Sequence, residues 1–390
     1  MKDLTQKTHA LLASGRDYWS DAVADLHPLD PNALLPGSRT LPDFPAAREF
    51  VPAGRTAYEH LFAILRAEES DSLTFKNALF LLMYFDSLFV YRALKEIYKD
   101  SAQPQRKWLD AACRKTLIRC VEYPESGHEA LTREIPRNTY PRRLATTPML
   151  VALAAELQRD TGRKTVIRDM AVADAVTSLD VAEAAAQQGI PVSITATDIQ
   201  LYLYFAKLGD DRAVSTGNRT VTQYEIDGRT YGTRHDDVPP SHLIRKKQLD
   251  ETLASPAADR INMLAPEVEL AEASGRYDIS FKEEDASHPD PDISGAHIIR
   301  VANLFVERTP EHRGYFYRAD MVQAIAQLGI PVKDGAYLFV DSFIQKLERV
   351  GKWRKDASSS RWIRLPTPTE IPEVLNGIAD IDIPKGTSTG

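Results

Sequence analysis

Residues able to bind a polar ligand stand at the ends of apolar runs in this chain. Asp169 closes Thr165-Val-Ile-Arg-Asp, and a stretch of small and polar residues follows: Ala171, Asp174, Thr177 and Ser178. Asp198, with Ile199 behind it, closes the run Val192-Ser-Ile-Thr-Ala-Thr197. Asp285 and Ala286 follow Tyr277-Asp-Ile-Ser-Phe281, and Asn303 follows Ala296-His-Ile-Ile-Arg-Val301. A carboxylate at a strand end can accept both hydroxyls of a ribose, and one such as Asp285 can receive an adenine amine. A turn that opens a helix offers unpaired amides to a polar group. Any one of these acids serves equally well as a helix or turn cap. Taken in order, the set fits a nucleoside-shaped ligand.

The elements that must position these residues alternate. Thr165–Val172 reads as a strand, Thr177–Gln188 as an alanine-rich helix stopped by Gly189, and Val192–Thr197 as a second strand. Together they form a βαβ unit, the signature of a parallel sheet. Further strands are expected at 277–281, 296–301 and 336–340, with a helix over 315–328. The segment 346–353 is expected to pair with 361–365 as a closing hairpin. Asp227-Gly228 sits between alternating residues and predicts another hairpin. Segments 241–253 and 257–264 read as helices.

Before Thr165 the pattern is helical. Tyr58, Leu61, Phe62 and Leu65 recur at helical spacing, and a helix from near Thr74 through Leu94 is apolar almost all round. Either Thr146 or Thr147 is expected to cap a helix that runs to Arg159, with Pro148 in its first turn. Tyr18 and Trp19 are set in a proline-rich opening arm.

Composition narrows the function. With 48 Lys and Arg against 55 Asp and Glu, the formal net charge is −7, a poor match to nucleic acid. The two cysteines, Cys113 and Cys120, lack partners at zinc-binding spacing, and no metal site is expected. So few cysteines, and an opening without an apolar signal core, lead to the expectation of a cytoplasmic protein without a membrane span. The chain contains neither G-x-x-x-x-G-K-[ST] nor G-x-G-x-x-G, so phosphate-loop and dinucleotide enzymes are disfavoured.

The set of strand ends resembles the class I S-adenosylmethionine-dependent methyltransferases over about residues 165–365. Ile167-Arg-Asp-Met-Ala-Val-Ala-Asp-Ala-Val-Thr-Ser-Leu-Asp180 is similar to the family's first motif, and Thr195-Ala-Thr-Asp198-Ile199 to its acidic second motif. Glu284-Asp285-Ala286 resembles the adenine-side motif, and Arg300-Val-Ala-Asn303-Leu304 the segment beside the methyl group. Lys333-Asp334-Gly335 resembles the turn before the fifth strand. The resemblance implies S-adenosyl-L-methionine as cofactor, with Asp169, Ala171, Asp174, Thr177, Asp198, Ile199, Asp285, Ala286 and Asn303 around it. It implies a seven-stranded, mostly parallel Rossmann-like sheet preceded by an α-helical N-terminal domain. One departure stands out: the family's first loop is glycine-rich, and no glycine occurs from Asp169 to Asp180.

The expected organisation is an arm over 1–54, a helical domain over 55–162, the α/β domain over 163–366 and a flexible tail over 367–390. The α/β domain carries a hairpin insertion at 212–255. The helical domain would act as a lid, a substrate wall or a surface for a second copy or protein partner. The functional expectation is methyl transfer to an unidentified small molecule or protein. The alternative is a catalytically degenerate binding or scaffold subunit. His297, His312 and Tyr315 lie in or near the fourth strand, but none is assigned a catalytic role.

Overall fold

The computed structural model describes residues 8, 12, 15–19, 47–68, 72–120, 145–217, 219, 221–232, 236–286, 288–302, 304–305, 317–344, 347–375 and 378–384. After a short helical turn at Ala47–Phe50 come the helices α1 (Gly54–Ala67), α2 (Leu73–Leu82), α3 (Leu88–Asp100), α4 (Gln103–Cys120) and α5 (Thr146–Thr161). Then come β1 (Thr165–Met170), α6 (Val176–Gln187), β2 (Val192–Asp198), β3 (Tyr202–Leu208), β4 (Asp211–Thr216), β5 (Thr222–Ile226) and β6 (Arg229–Tyr231). Next are α7 (Leu243–Leu253), β7 (Asp259–Asn262), α8 (Pro266–Ala273), β8 (Ile279–Glu283), β9 (Ile298–Ala302) and α9 (Arg318–Leu328). The last strands are β10 (Tyr337–Ile344), β11 (Leu347–Asp356), β12 (Arg361–Leu365) and β13 (Ile381–Asp382).

These elements form two compact units, and the division does not follow the linear order expected from the sequence. One unit joins Met1–Tyr140 to Tyr202–Glu267; the other joins Pro141–Leu201 to Val268–Gly390. Helix α5, expected with the helical domain, therefore belongs to the sheet unit. The insertion is larger than 212–255 and groups with the N-terminal helices.

In the first unit, β6-β5-β4-β3-β7 form an antiparallel sheet whose apolar residues pack with α1–α4. Asp227 and Gly228 take positive φ at the β5–β6 turn, as the primed hairpin turn requires. Two expectations are corrected here, and one hairpin is added to those expected. The 257–264 segment contains strand β7, because the edge of β3 offers it a ladder. The added hairpin is β3–β4, whose turn Gly209-Asp210 stands between two apolar runs. The single apolar helix is broken in two. Asp86 takes φ 46°, and the Ser87 hydroxyl accepts from Phe89 N–H. The backbone freed at that break is met by buried Gln223, whose amide donates to Asp86 O (2.9 Å) and accepts from Leu88 N (2.9 Å).

In the second unit, the sheet order is β13-β12-β11-β10-β9-β1-β2-β8. Strands β8, β2, β1, β9 and β10 are mutually parallel. The expected seven strands are in fact eight. Beyond β10 the chain meanders antiparallel through β11, β12 and β13. The tail expected to be flexible supplies β13 and buries Val374, Leu375, Ile381 and Ile383. Helices α5 and α6 bring Leu150, Val151 and Val181 against Ile167, Ile194, Ile298 and Phe339. Helix α9 brings Met321 and Ile325 into the cluster that holds Ile299, Val301, Leu338, Trp353 and Trp362. Neither Thr146 nor Thr147 is the cap of α5; Ala145 stands at that position. The Glu348 carboxylate accepts from Ala145 N and Thr146 N, both at 2.8 Å. Among the described residues, no helix is long and apolar enough to cross a membrane.

Candidate functional site

The strand order creates a switch point. From β1 the chain adds β2 and then β8 on one side, and β9 and β10 on the other. In such sheets, ligands bind beyond the carboxyl ends of the strands where the order reverses. The β1–α6 turn lies at that end, and its backbone is unusual. Ala171, Ala173 and Ala175 all adopt left-handed φ, at 59°, 55° and 60°. Every second residue of the turn therefore occupies the conformation that glycine adopts freely and an L side chain resists. Val172 N donates to Thr197 O (3.1 Å), and Ala175 N donates to Val172 O (2.8 Å). The Asp174 carboxylate is buried and lies 3.4 Å from Val176 N, in the first turn of α6.

Asp198, at the end of β2, is 5% exposed and tied to this turn. One carboxylate oxygen accepts from Ala173 N (2.9 Å), and the other accepts from Gln200 N (3.1 Å). The neighbouring Ile199 is 49% exposed, which places an open apolar side chain beside a buried acid. Asp285 is half-exposed, 3.5 Å from His288 Nδ1, while Ala286 is buried. Thr177 is buried with no hydrogen-bond partner for its hydroxyl. Asn303 lies outside the described residues, as do His312 and Tyr315. His297 precedes β9 at the opposite end of the strands, where its Nδ1 accepts from Val166 N (3.0 Å). It is a structural residue.

Asp169 faces a buried charge network. Its Oδ2 accepts from the Ser178 hydroxyl (2.6 Å) and from Arg300 Nη1 (3.2 Å). Arg300 also donates to Asp341 Oδ2 through Nε (2.9 Å) and Nη2 (2.8 Å). The Arg300 and Asp341 side chains are fully buried. Burial pushes the Asp169 carboxyl above its usual range; Arg300 and the Ser178 hydroxyl pull it back only in part. For Arg300, burial opposes the charge, but Asp169 and Asp341 outweigh it and hold the guanidinium protonated. The sequence reading missed this network. The available signal was a charged residue inside an apolar strand, Arg300 in β9.

Arg168 belongs to a second network on the other face of β1. Its Nη2 donates to Asp292 (2.6 Å), and its Nη1 lies 3.6 Å from Glu284 Oε2. Carboxylate oxygens of Glu284, Asp290 and Asp292 lie within 4.8 Å of one another. Arg168 and Lys282 already sit among these acids, with Lys282 Nζ 2.6 Å from Asp290. The protein's own two cations, Arg168 and Lys282, offset two of the three acids.

No family model matches the chain, and no curated protein matches it. Among solved structures, it is similar to the CMeT domain of the citrinin polyketide synthase at 14% identity and a TM-score of 0.25, over 75% of this chain and 49% of that one. It is similar to the DszA carbon methyltransferase at 13% identity and a TM-score of 0.26, over 82% of this chain and 79% of that one. A protein-L-isoaspartate O-methyltransferase aligns at 12% identity and a TM-score of 0.22, over 73% and 66%. The chain thus spans about half the length of the first of these structures. Such scores do not establish a shared fold, so the functional reading rests on the chain's own strand order and turn.

Proposed function

We propose that the sheet unit binds S-adenosylmethionine at the carboxyl ends of β1, β2 and β8 and transfers its methyl group to an acceptor. The observation that carries this reading is the β1–α6 turn, in which Ala171, Ala173 and Ala175 hold left-handed φ at the switch point. Each such residue costs about 1 kcal/mol or more. Strain of this kind persists where the surroundings enforce it, and it concentrates at ligand sites. Alanine is the smallest side chain that leaves such a backbone near a ligand.

The residues present suit the cofactor. Asp198 would hold the ribose, Asp285 the adenine amine, and the first turn of α6, with Thr177, the methionine end. The cofactor supplies an electrophilic methyl on a sulfonium, and transfer is an in-line displacement. The chain's contribution is to orient the reactants and exclude water. Arg300 fixes Asp169, and through it Ser178, so the start of α6 is anchored to the sheet.

A second reading has its own observation. The three methyl groups fill space that glycine would leave open, and each Asp198 oxygen already accepts a backbone amide. These features favour a binding subunit in which the chemistry has been lost. Calorimetric titration with S-adenosylmethionine and S-adenosylhomocysteine separates the two. Saturable binding of both supports the methyltransferase. Absence of binding at millimolar concentration refutes it.

A further inference from the structure

We infer that Arg168 is a positioning residue for nucleoside recognition: through Glu284 it fixes the segment after β8 against the end of β2. The inference rests on the proposed cofactor site and names a residue that does not touch the ligand there.

The linkage is continuous. Arg168 is 4% exposed and projects from the face of β1 opposite Asp169. Its guanidinium spans two carboxylates, Asp292 at 2.6 Å and Glu284 at 3.6 Å. The Glu284 side chain is fully buried, and its other oxygen accepts from Asp290 N (2.8 Å). The Glu284 backbone N–H donates to Asp198 O (3.0 Å). Glu284 therefore bonds with its main chain to the residue proposed to hold the ribose, and immediately precedes the residue proposed to hold the adenine amine. A buried carboxylate keeps its place only if a cation or donors compensate it. Arg168 is that cation: one arm of its guanidinium hydrogen-bonds Asp292 while the other stands at ion-pair distance from Glu284, a two-armed reach that a lysine ammonium lacks. The effect expected of Arg168 is on the spacing of Asp198 and Asp285, not on their chemistry.

The test uses the full chain with adenosine and S-adenosylhomocysteine as calorimetric probes. Adenosine lacks the methionine end, so its affinity reports the ribose and adenine contacts alone. Removing Arg168 by itself leaves Glu284 buried without its cation, so the decisive variant is the double substitution Arg168→Met with Glu284→Gln. It should melt near the wild-type temperature while losing about tenfold in affinity for both probes. Arg168→Lys keeps one carboxylate and should fall between the two. A folded double variant that binds both probes as wild type does would overturn the inference and leave the cofactor site standing. If the double variant does not fold, Glu284→Gln alone decides by the same criterion, since Arg168 stays paired with Asp292. If the wild-type chain binds neither probe at millimolar concentration, the site and the inference fall together.

Discussion

Replacing Ala171 with glycine should stabilise the protein, although the same change elsewhere in the chain weakens it. Ala171 sits at φ 59°, a conformation that costs an L residue about 1–2 kcal/mol and glycine almost nothing. Against this, glycine enlarges the unfolded ensemble by about 0.4–1 kcal/mol. The Ala171 methyl is partly exposed, so little packing is lost. The net gain should be about 0.5–1 kcal/mol. Ala175 has the same backbone strain, but it is fully buried, and its methyl contributes about 0.8 kcal/mol. The two effects nearly cancel, so Ala175→Gly should be close to neutral. Ala182, in the middle of α6, provides the opposite sign. There glycine forfeits about 1 kcal/mol of helix propensity and a buried methyl as well, a loss of about 2 kcal/mol. Urea unfolding midpoints of the three variants test the order Ala171→Gly, then Ala175→Gly, then Ala182→Gly. If Ala171→Gly destabilises as much as Ala182→Gly, the turn does not hold the strained backbone described, and the main support for a ligand site goes with it.

Asp198→Ala should weaken binding of S-adenosylhomocysteine by about ten- to hundredfold, the loss of a charged hydrogen-bond partner, as read by calorimetry. An unchanged affinity would show that the ribose lies elsewhere. Asp169→Asn tests the buried network through pH. The folded protein holds the Asp169 proton to higher pH than the unfolded chain does, so this group's contribution to stability is complete below about pH 4 and is lost as pH rises through the folded value. The difference between the asparagine variant and wild type should therefore move in favour of the variant from about pH 4 upward. Urea midpoints that keep a constant gap over that range would contradict the raised carboxyl. In the other unit, Leu82 is fully buried, and Leu82→Ala should cost about 2–5 kcal/mol by thermal or urea unfolding. A loss below about 1 kcal/mol would show that α2 is not core.

The sequence by itself determined the parallel part of the sheet, because those strands are short apolar runs separated by helices and local pattern suffices to place them. Thr165–Met170, Val192–Asp198 and Ile298–Ala302 lie where their apolar runs and the polar residues that close them put them. The Asp227-Gly228 turn was readable for the same reason: the turn chemistry is local. Only the tertiary structure decided what depends on distant partners. Strand β7 exists because β3 offers it an edge, and β13 because β12 does; neither segment carries a strand pattern strong enough to declare itself. The break between α2 and α3 depends on Gln223, more than a hundred residues away, to satisfy the backbone it frees. The same limit applies at the site. Sequence marked Asp169 and Asp198 as acids at strand ends, but not that Ser178 and Arg300 hold the first and backbone amides the second. Nor did it indicate that alanine takes left-handed φ three times in five residues, since intrinsic preference argues against it. A residue's type fixes the interactions it can make, but the partners that oblige it to make them are assembled only when the chain folds.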